Sequence, residues 1–474
     1  MSGRTLTIVL LLAPALASAG VRPGYGGTVR IGVPVAPHLA PGAPTAADAI
    51  LERATTLPLL DPDAAGSLAP GALAEVPSPE AGARAFRLRL RPGLVDASGR
   101  PLGAEDVAAR LAALARDPTS PDGWIALPLL GADALASGRA PVLAGVQVLS
   151  PTELLVSLAF PLPDFPWLLA AAPAALRDAG PFVLAARRPG TSSPGDPIAL
   201  SRNDRTRRGR PFADALELVP VDPRAAVRLL EQRKVDLVLR PEATGGRPGP
   251  ALLAATATVA AVNAARLGAG AEAVRRALAS LDRAELARRF VRGPAEPLAS
   301  LAALAGAAAP PLSPAPGWAE PPAPARIVLL ADSSVPDQRA LAERLQVKLF
   351  DRGLRAQVDL VDAARARTRL ASGDYDVALV AVLLRSPRPA LAAGQLAFAA
   401  RGPDAGRRAM AALAGLEGER AAAAADRLAR ELDLFPLVTS GLRASLGPAL
   451  EGFAPHADGT FDPGDLWLVA GGTP

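Results

Sequence analysis

Between Arg326 and Leu384 short apolar runs alternate with helical patterns, and this alternation restricts the fold more than any other stretch. Arg326–Ala331 is an apolar strand. Pro336–Asp351 reads as a helix, with Leu341, Leu345 and Leu349 four apart on one face and Gly353 closing it. Leu354–Val361 alternates as a strand, Ala363–Ser372 reads as a helix, and Asp376–Leu384 is a strand apolar on both faces. A β-α-β-α-β order predicts a largely parallel sheet covered by helices. Ligands of such open sheets sit beyond the carboxyl ends of the strands. In GDYDVALVAVLLRSPRP (Gly373–Pro389) Arg385 stands at such an end, and Arg388 follows on backbone stiffened by Pro387 and Pro389.

The earlier part of the chain carries similar signals. GGTVRIGVP (Gly26–Pro34) reads as a strand after a turn, and a helix is expected over Ala46–Thr55. Ala85–Arg91 alternates, with Phe86, Leu88 and Leu90 on one face and three arginines on the other, ended by Pro92-Gly93. Ala104–Ala115 is a helix whose first turn holds Glu105 and Asp106, which suit the positive helix start. Val146–Leu158 reads as a hairpin turning at Ser150-Pro151. GPFVLAARRPG, PIALSRND and ALELVPV predict three more strands from Gly180 onward, then a short helix over Asp222–Gln232 and a strand over Val235–Leu239. Ala271–Phe290 reads as one continuous helix. Ala307–Ala325 is proline-rich and is expected to be a semi-rigid connection.

Residues 1–19 have the pattern of a secretory signal peptide: Arg4, a short apolar run from Thr5 to Leu16, and Ala17-Ser18-Ala19 ahead of Gly20. The run is shorter than the roughly 20 residues of a membrane span. Cysteine is absent, so disulfides, thiolate metal sites and a lipid-carrying cysteine are excluded. Free solution in a periplasm is the expected location. Apolar residues make up 50% of the chain, enough to build cores in two or three domains. A net charge of +5 spread among nearly equal numbers of acids and bases carries no basic stripe, which argues against nucleic-acid binding. The two histidines, His38 and His456, are far apart, and no cluster has metal-ligand spacing. No nucleophile elbow or phosphate-binding loop is present, and Gly268-Ala269-Gly270 is at most half of a dinucleotide fingerprint. Neither enzyme chemistry nor a cofactor is expected.

The ordered set of segments resembles the extracellular solute-binding proteins of peptide ABC transporters, solute-binding family 5 (the oligopeptide/dipeptide/nickel group). FRLRLRPGLVDASGRPLGAEDVAARL (Phe86–Leu111) resembles the family signature, and VQVLSPTELLVSLAFPLPDFPWLLA (Val146–Ala170) the hairpin and helix that follow. GPFVL, LSRND and PFADALELVPVDPRAAVRLLEQRKVDLVL resemble the return to the first lobe. Asn263, VRRALASLDRAELARRF and the stretch from Asp337 to Val380 resemble the next, and EGFAPHADGTFDPGDLWL the C-terminal return. The resemblance implies an α/β fold of the type II periplasmic-binding-protein kind, with two α/β lobes, a hinge and a small inserted domain. Residues 20–44, 175–255 and 446–474 are then expected to form lobe I, 45–174 the insert, and 256–445 lobe II.

The same resemblance implies a monomeric periplasmic protein that takes a solute between its lobes and delivers it to an inner-membrane ABC permease. Candidate ligand contacts are Arg385, Ser386, Arg388, Asn263, His38 and Thr439. Peptide binders of the family end the corresponding strand in a G-W-x-x-D-Y-P-D-P-like segment whose first aspartate pairs with the peptide α-amino group. Here Val382 replaces the tryptophan, Arg385 that aspartate and Arg388 the second one. At an effective dielectric of about 20 such a reversal shifts the interaction with an ammonium by several kcal/mol. The arginines either hold an anionic group, for which guanidinium is suited, or face solvent or pair with local acids such as Asp374 and Asp376. The chain is shortened between Leu239 and Asn263 and lacks a helix before Arg326, so reduced cleft loops are expected. A metal ligand is not expected from two separated histidines. The alternative is an interaction or sensor module that has lost its solute, to which the 4% aromatic content gives weight.

Overall fold

The structure, a computed structural model, describes residues 23–34, 45–63, 66–185, 196–222, 224–241, 247–305, 326–456 and 459–469. The expected signal peptide, His38 and the proline-rich connection lie outside them. Among the described residues no helix is long and apolar enough to cross a membrane.

One eleven-stranded mixed sheet runs through both lobes. In lobe I, Thr28–Val33 lies parallel to Ala215–Pro220 and Leu237–Arg240, and Ile198–Arg202 and Phe182–Leu184 extend the sheet antiparallel. In lobe II, Ile327–Asp332 lies parallel to Ala356–Val361 and Val377–Leu383, as the β-α-β-α-β pattern requires. Two long antiparallel strands, Arg247–Val262 and Leu434–Leu446, join the halves. The first pairs with Val377–Leu383 and the second with Leu237–Arg240. The stretch read as shortened is thus mostly this crossing strand.

Helix Ala46–Thr55 forms where expected, started by a reciprocal cap. The Thr45 hydroxyl accepts from the Asp48 amide at 3.2 Å, and the Asp48 carboxylate accepts from the Thr45 amide at 2.6 Å. Its Ala47, Ile50, Leu51 and Ala54 pack on Ile31, Leu218, Leu239 and Phe461 of lobe I. The expected single helix over Ala271–Phe290 is two helices, Ala271–Ala279 and Arg283–Phe290. The break has a local cause: Asp282 leaves the helical conformation and its carboxylate accepts the Glu285 amide at 2.9 Å, starting a new helix.

The insert is a four-stranded antiparallel sheet, with Ala85–Arg89 between Pro79–Glu80 and Glu153–Ser157, and Val146–Ser150 on the far side. Phe86 and Leu88 are fully buried with Leu111, Trp124 and Phe165. The loop from Asp96 to Asp106 is stitched by its own side chains. Asp96 accepts from the Ser98 and Arg100 amides at 2.9 and 3.0 Å and from Arg100 Nε at 3.0 Å. Asp106 accepts from the Gly103 amide at 2.8 Å and from Arg100 Nη1 at 2.7 Å. The Asp-Ala-Ser-Gly-Arg run therefore orients the start of helix Ala104–Arg116 on the sheet.

The same hydrogen bonds, led by the Ser98 hydroxyl, hold the Asp96 carboxyl down at about 2. A carboxylate depressed on folding stabilises above its unfolded value, and that contribution is lost as pH falls through the folded one. Asp96→Asn should therefore lower Tm at neutral pH, and the gap to wild type should narrow between about pH 4 and pH 2. Calorimetry across that range checks it; a gap unchanged with pH would contradict the assignment.

Candidate functional site

The Val377–Leu383 strand delivers Arg385 to the junction of all three parts of the molecule. Gln395, buried on helix Pro389–Arg401, fixes this exit: its Nε2 donates to the Leu383 carbonyl at 2.9 Å and its Oε1 accepts the Arg385 amide at 3.1 Å. Arg388 is the N-cap of that helix and Pro389 its first residue, which suits the fixed proline φ. Ser386 is buried, and its hydroxyl accepts the Arg388 amide at 3.2 Å.

The two arginines meet charged groups from other parts of the molecule. Arg385, only 5% exposed in its side chain, pairs through Nη2 with Glu52 at 3.0 Å, on the helix that packs against lobe I. Arg388 lies 3.8 Å from Asp164 of the insert, and its guanidinium sits over the Trp167 ring, 4.8 Å from the centroid. Burial pushes the Glu52 carboxyl above its usual range, with Arg385 pulling the other way. Burial likewise raises Asp164, opposed by Arg388. The expected local partners are engaged elsewhere: Asp374 and Asp376 pair with Arg266 at 2.6 and 3.0 Å, and Asp376 also accepts the Val328 amide at 2.7 Å. Those acids bind the amino end of the strand, whereas Arg385 is at the carboxyl end.

The other candidates are spread out. Asn263 caps helix Ala264–Leu267 and donates to the Gly373 carbonyl at 2.8 Å. It lies beside the start of the Val377–Leu383 strand, roughly 25 Å from Arg385 at about 3.3 Å per residue. Thr439 sits on the crossing strand Leu434–Leu446, opposite Ala257, which in turn faces Val382. His38 is outside the described residues. The structure therefore brings together Arg385, Ser386 and Arg388, sets Thr439 two strands away, and separates Asn263. His456 touches Arg53, with Nδ1 3.0 Å from Nη2. Sequence reasoning missed Glu52, Asp164 and Trp167, because each lies more than 200 residues from the arginine it meets.

Around these contacts the insert and lobe II share one continuous apolar cluster, from Trp124 and Leu127 to Leu396, Phe398 and Met410. Helices Pro389–Arg401 and Pro403–Leu413 pack closely at Gly394 and Gly406. A Cβ on Gly406 would fall 2.7 Å from Leu127 Cδ1 and 2.8 Å from Phe398 Cβ. Arg407 adds a hydrogen bond to the Leu127 carbonyl at 3.3 Å and an ion pair with Asp133. Two concavities, of about 590 and 270 Å³, lie elsewhere, against Arg288 and Arg292 and against Val347 and Phe350.

The family model for bacterial extracellular solute-binding proteins, family 5 (middle region), matches residues 69–402. The chain belongs to this family. Its fold is the type II periplasmic-binding-protein fold, shared with solved structures at low identity. The Escherichia coli murein tripeptide binding protein MppA is 16% identical at TM-score 0.74, over 95% of this chain and all of that one. Haemophilus influenzae OppA in complex with RPPGFSPFR is 13% identical at TM-score 0.69, over 93% and 98%. The binding protein AgaA from A. tumefaciens R10, in complex with agropinic acid, is 16% identical at TM-score 0.68, over 94% and 99%. No curated protein matches the sequence. The family and these neighbours are binding proteins, not enzymes.

Two stability experiments follow from the seam. Gly406→Ala would gain helix propensity on an exposed site, yet here it should cost about 1–3 kcal/mol by overpacking Leu127 and Phe398; denaturant unfolding measures it, and a stabilised variant would refute the close contact. For Glu52 and Arg385, removing one buried partner leaves the other uncompensated. Glu52→Gln and Arg385→Gln should together cost less than the sum of the single variants, by about 1 kcal/mol or more. An additive cycle would show that the pair is not coupled.

Proposed function

We propose that this chain is the periplasmic solute-binding component of a peptide-type ABC transporter, exported by a signal peptide cleaved near Ala19. Its solute, peptide-like or anionic, binds between the lobes and is delivered to an inner-membrane permease by the closed form. The observation that carries this reading is the convergence at the Arg385 end of the sheet. A buried strand exit, a helix packed on lobe I and the far end of the insert all present charged side chains to one seam. Family membership supports it, as do a neighbour that is a murein tripeptide binding protein and two others in complex with a nonapeptide and with agropinic acid. Closure in this scheme is a population shift stabilised by whatever contacts both lobes. Arg385, Ser386, Arg388 and Thr439 are the ligand contacts we propose. Asn263 serves the lobe II framework, and no cofactor is invoked.

Arg385 already has an acid, so a solute entering beside it must replace the Glu52 carboxylate. We therefore expect solutes with a carboxylate or phosphate to bind, and simple amines without one to fail. A thermal-shift screen of peptides, N-acetyl peptides, peptide amides and sugar acids tests this. Stabilisation by acids that disappears in Arg385→Ala supports the assignment; equal stabilisation of that variant by ordinary di- and tripeptides overturns it.

A second reading, of a module that closes without solute, draws on the apolar cluster shared by the insert and lobe II. The chain has no cysteine, so one label can be placed on each lobe cleanly. A distance between labels that is short without solute and unmoved by any tested solute favours this second reading, and a distance that shortens on binding favours transport.

A further inference from the structure

The Leu237–Arg240 strand ends in a second arginine at the carboxyl edge of the lobe I sheet. Leu237 and Leu239 face the lobe I core, while Val238 and Arg240 share the opposite face. Arg240 is 7% exposed, and its Nε and Nη1 are sealed from solvent with no hydrogen-bond partner. A buried guanidinium in that state is strongly unfavourable. The residue directly across the antiparallel ladder is Arg443, on the crossing strand Leu434–Leu446. Directly opposed residues lie on the same face with Cβ atoms about 5 Å apart, and like charges there repel. Among the described residues neither arginine has a carboxylate in ion-pair contact. Strand Thr28–Val33, parallel to Leu237–Arg240, ends at the same edge. Lobe II closes on this point from the other side: a Cβ on Gly293, whose φ is +86°, would fall 2.2 Å from the Pro241 carbonyl oxygen. Arg240, buried and with no acid beside it among the described residues, thus stands next to the exposed Arg443 where the strands cross between lobes.

We infer that Arg240 and Arg443 form an anion-binding site at the floor of the interlobe cleft, taking a carboxylate or phosphate group between two guanidinium groups. Its fork geometry suits either oxyanion, held by paired N–H donors. Among the described residues no carboxylate supplies the counter-charge, whereas Arg385 receives one from Glu52, and the bound anion fills that part. The inference rests on the solute-binding reading and names the part of the solute that the floor recognises.

The test uses the purified mature chain and two probes, inorganic phosphate and succinate, against chloride at equal ionic strength. Scanning calorimetry should show a saturable rise in Tm with at least one probe, and the stronger one tells phosphate from carboxylate. Arg240→Met, which keeps an apolar side chain in the buried position, should raise Tm in chloride and abolish the shift. Arg443→Gln should weaken the shift by tenfold or more in probe concentration. Arg339→Ala, which removes an exposed arginine far from the crossing strands, should retain it. An unshifted wild type, an Arg240→Met variant that melts lower or does not fold, or a shift that survives in Arg240→Met each overturns the site. Native mass spectrometry on the same preparation separates the two readings: a co-purified neutral solute without an anion shift would remove this site and leave solute binding standing.

Discussion

The crossing ladder between Arg247–Val262 and Leu434–Leu446 is the constraint on which the rest depends. Its backbone hydrogen bonds make one sheet of two lobes that would otherwise be separate α/β units. Because the first strand pairs with Val377–Leu383 and the second with Leu237–Arg240, the carboxyl ends of parallel strands from both lobes are brought toward one cleft. Register shifts interrupt this ladder between Pro248 and Ala251, between Leu252 and Thr256, and between Thr258 and Val259. Such irregularities bend strands and interrupt local pairing, so the ladder turns at these points while its ends stay paired within their lobes.

What the ladder brings together is charged and partly dry. The buried pair of Arg385 and Glu52 is a poor source of net stability, because desolvation opposes the attraction; the upward displacement of the Glu52 carboxyl has that origin. The drive for the observed lobe arrangement comes instead from apolar burial, where Leu127 and Trp124 of the insert meet Phe398 and Met410. The charges then act as a register. With the seam shut, any displacement that keeps it dry but separates Arg385 from Glu52 leaves two uncompensated ions. Arg388 adds a smaller, half-exposed contact over Trp167, worth about 0.5–1 kcal/mol at such a site.

Much of the fold was legible because its signals are local. Leu341, Leu345 and Leu349 announce their helix, Phe86 and Leu88 alternate into the insert's core, and Thr45 with Asp48 starts the helix that carries Glu52. The misread helix over Ala271–Phe290 shows the limit of periodicity: apolar spacing continued through Ser280 and Leu281, while the Asp282 cap decided the backbone. The candidate site was legible on one side only. Arg385 could be placed from its strand, since a run of buried residues has to end at a sheet edge. Its partner could not, since Glu52 is an ordinary exposed-looking glutamate in a helical pattern and meets Arg385 only after three parts of the chain have packed. Asp374 and Asp376 were attractive partners by proximity in sequence, yet a strand of seven residues puts them at the opposite end of the sheet.

The two sheet halves solve the same problem differently. Each sends a buried strand into the cleft and ends it in arginine, LVLR in lobe I and VLLR in lobe II. A charge at that position is compatible with folding only if something compensates it when the lobes meet. For Arg385 the compensation is internal and comes from the helix packed on lobe I, so it is in place before any solute arrives. For Arg240 no described carboxylate plays that part, and Arg443 opposite makes the local field more positive still. An anion arriving at the floor would therefore gain attraction from groups already in place, with little reorganisation, while one arriving at Arg385 must first displace Glu52. Retaining an uncompensated guanidinium costs stability in the empty protein, and the return for that cost is a preorganised contact in the filled one.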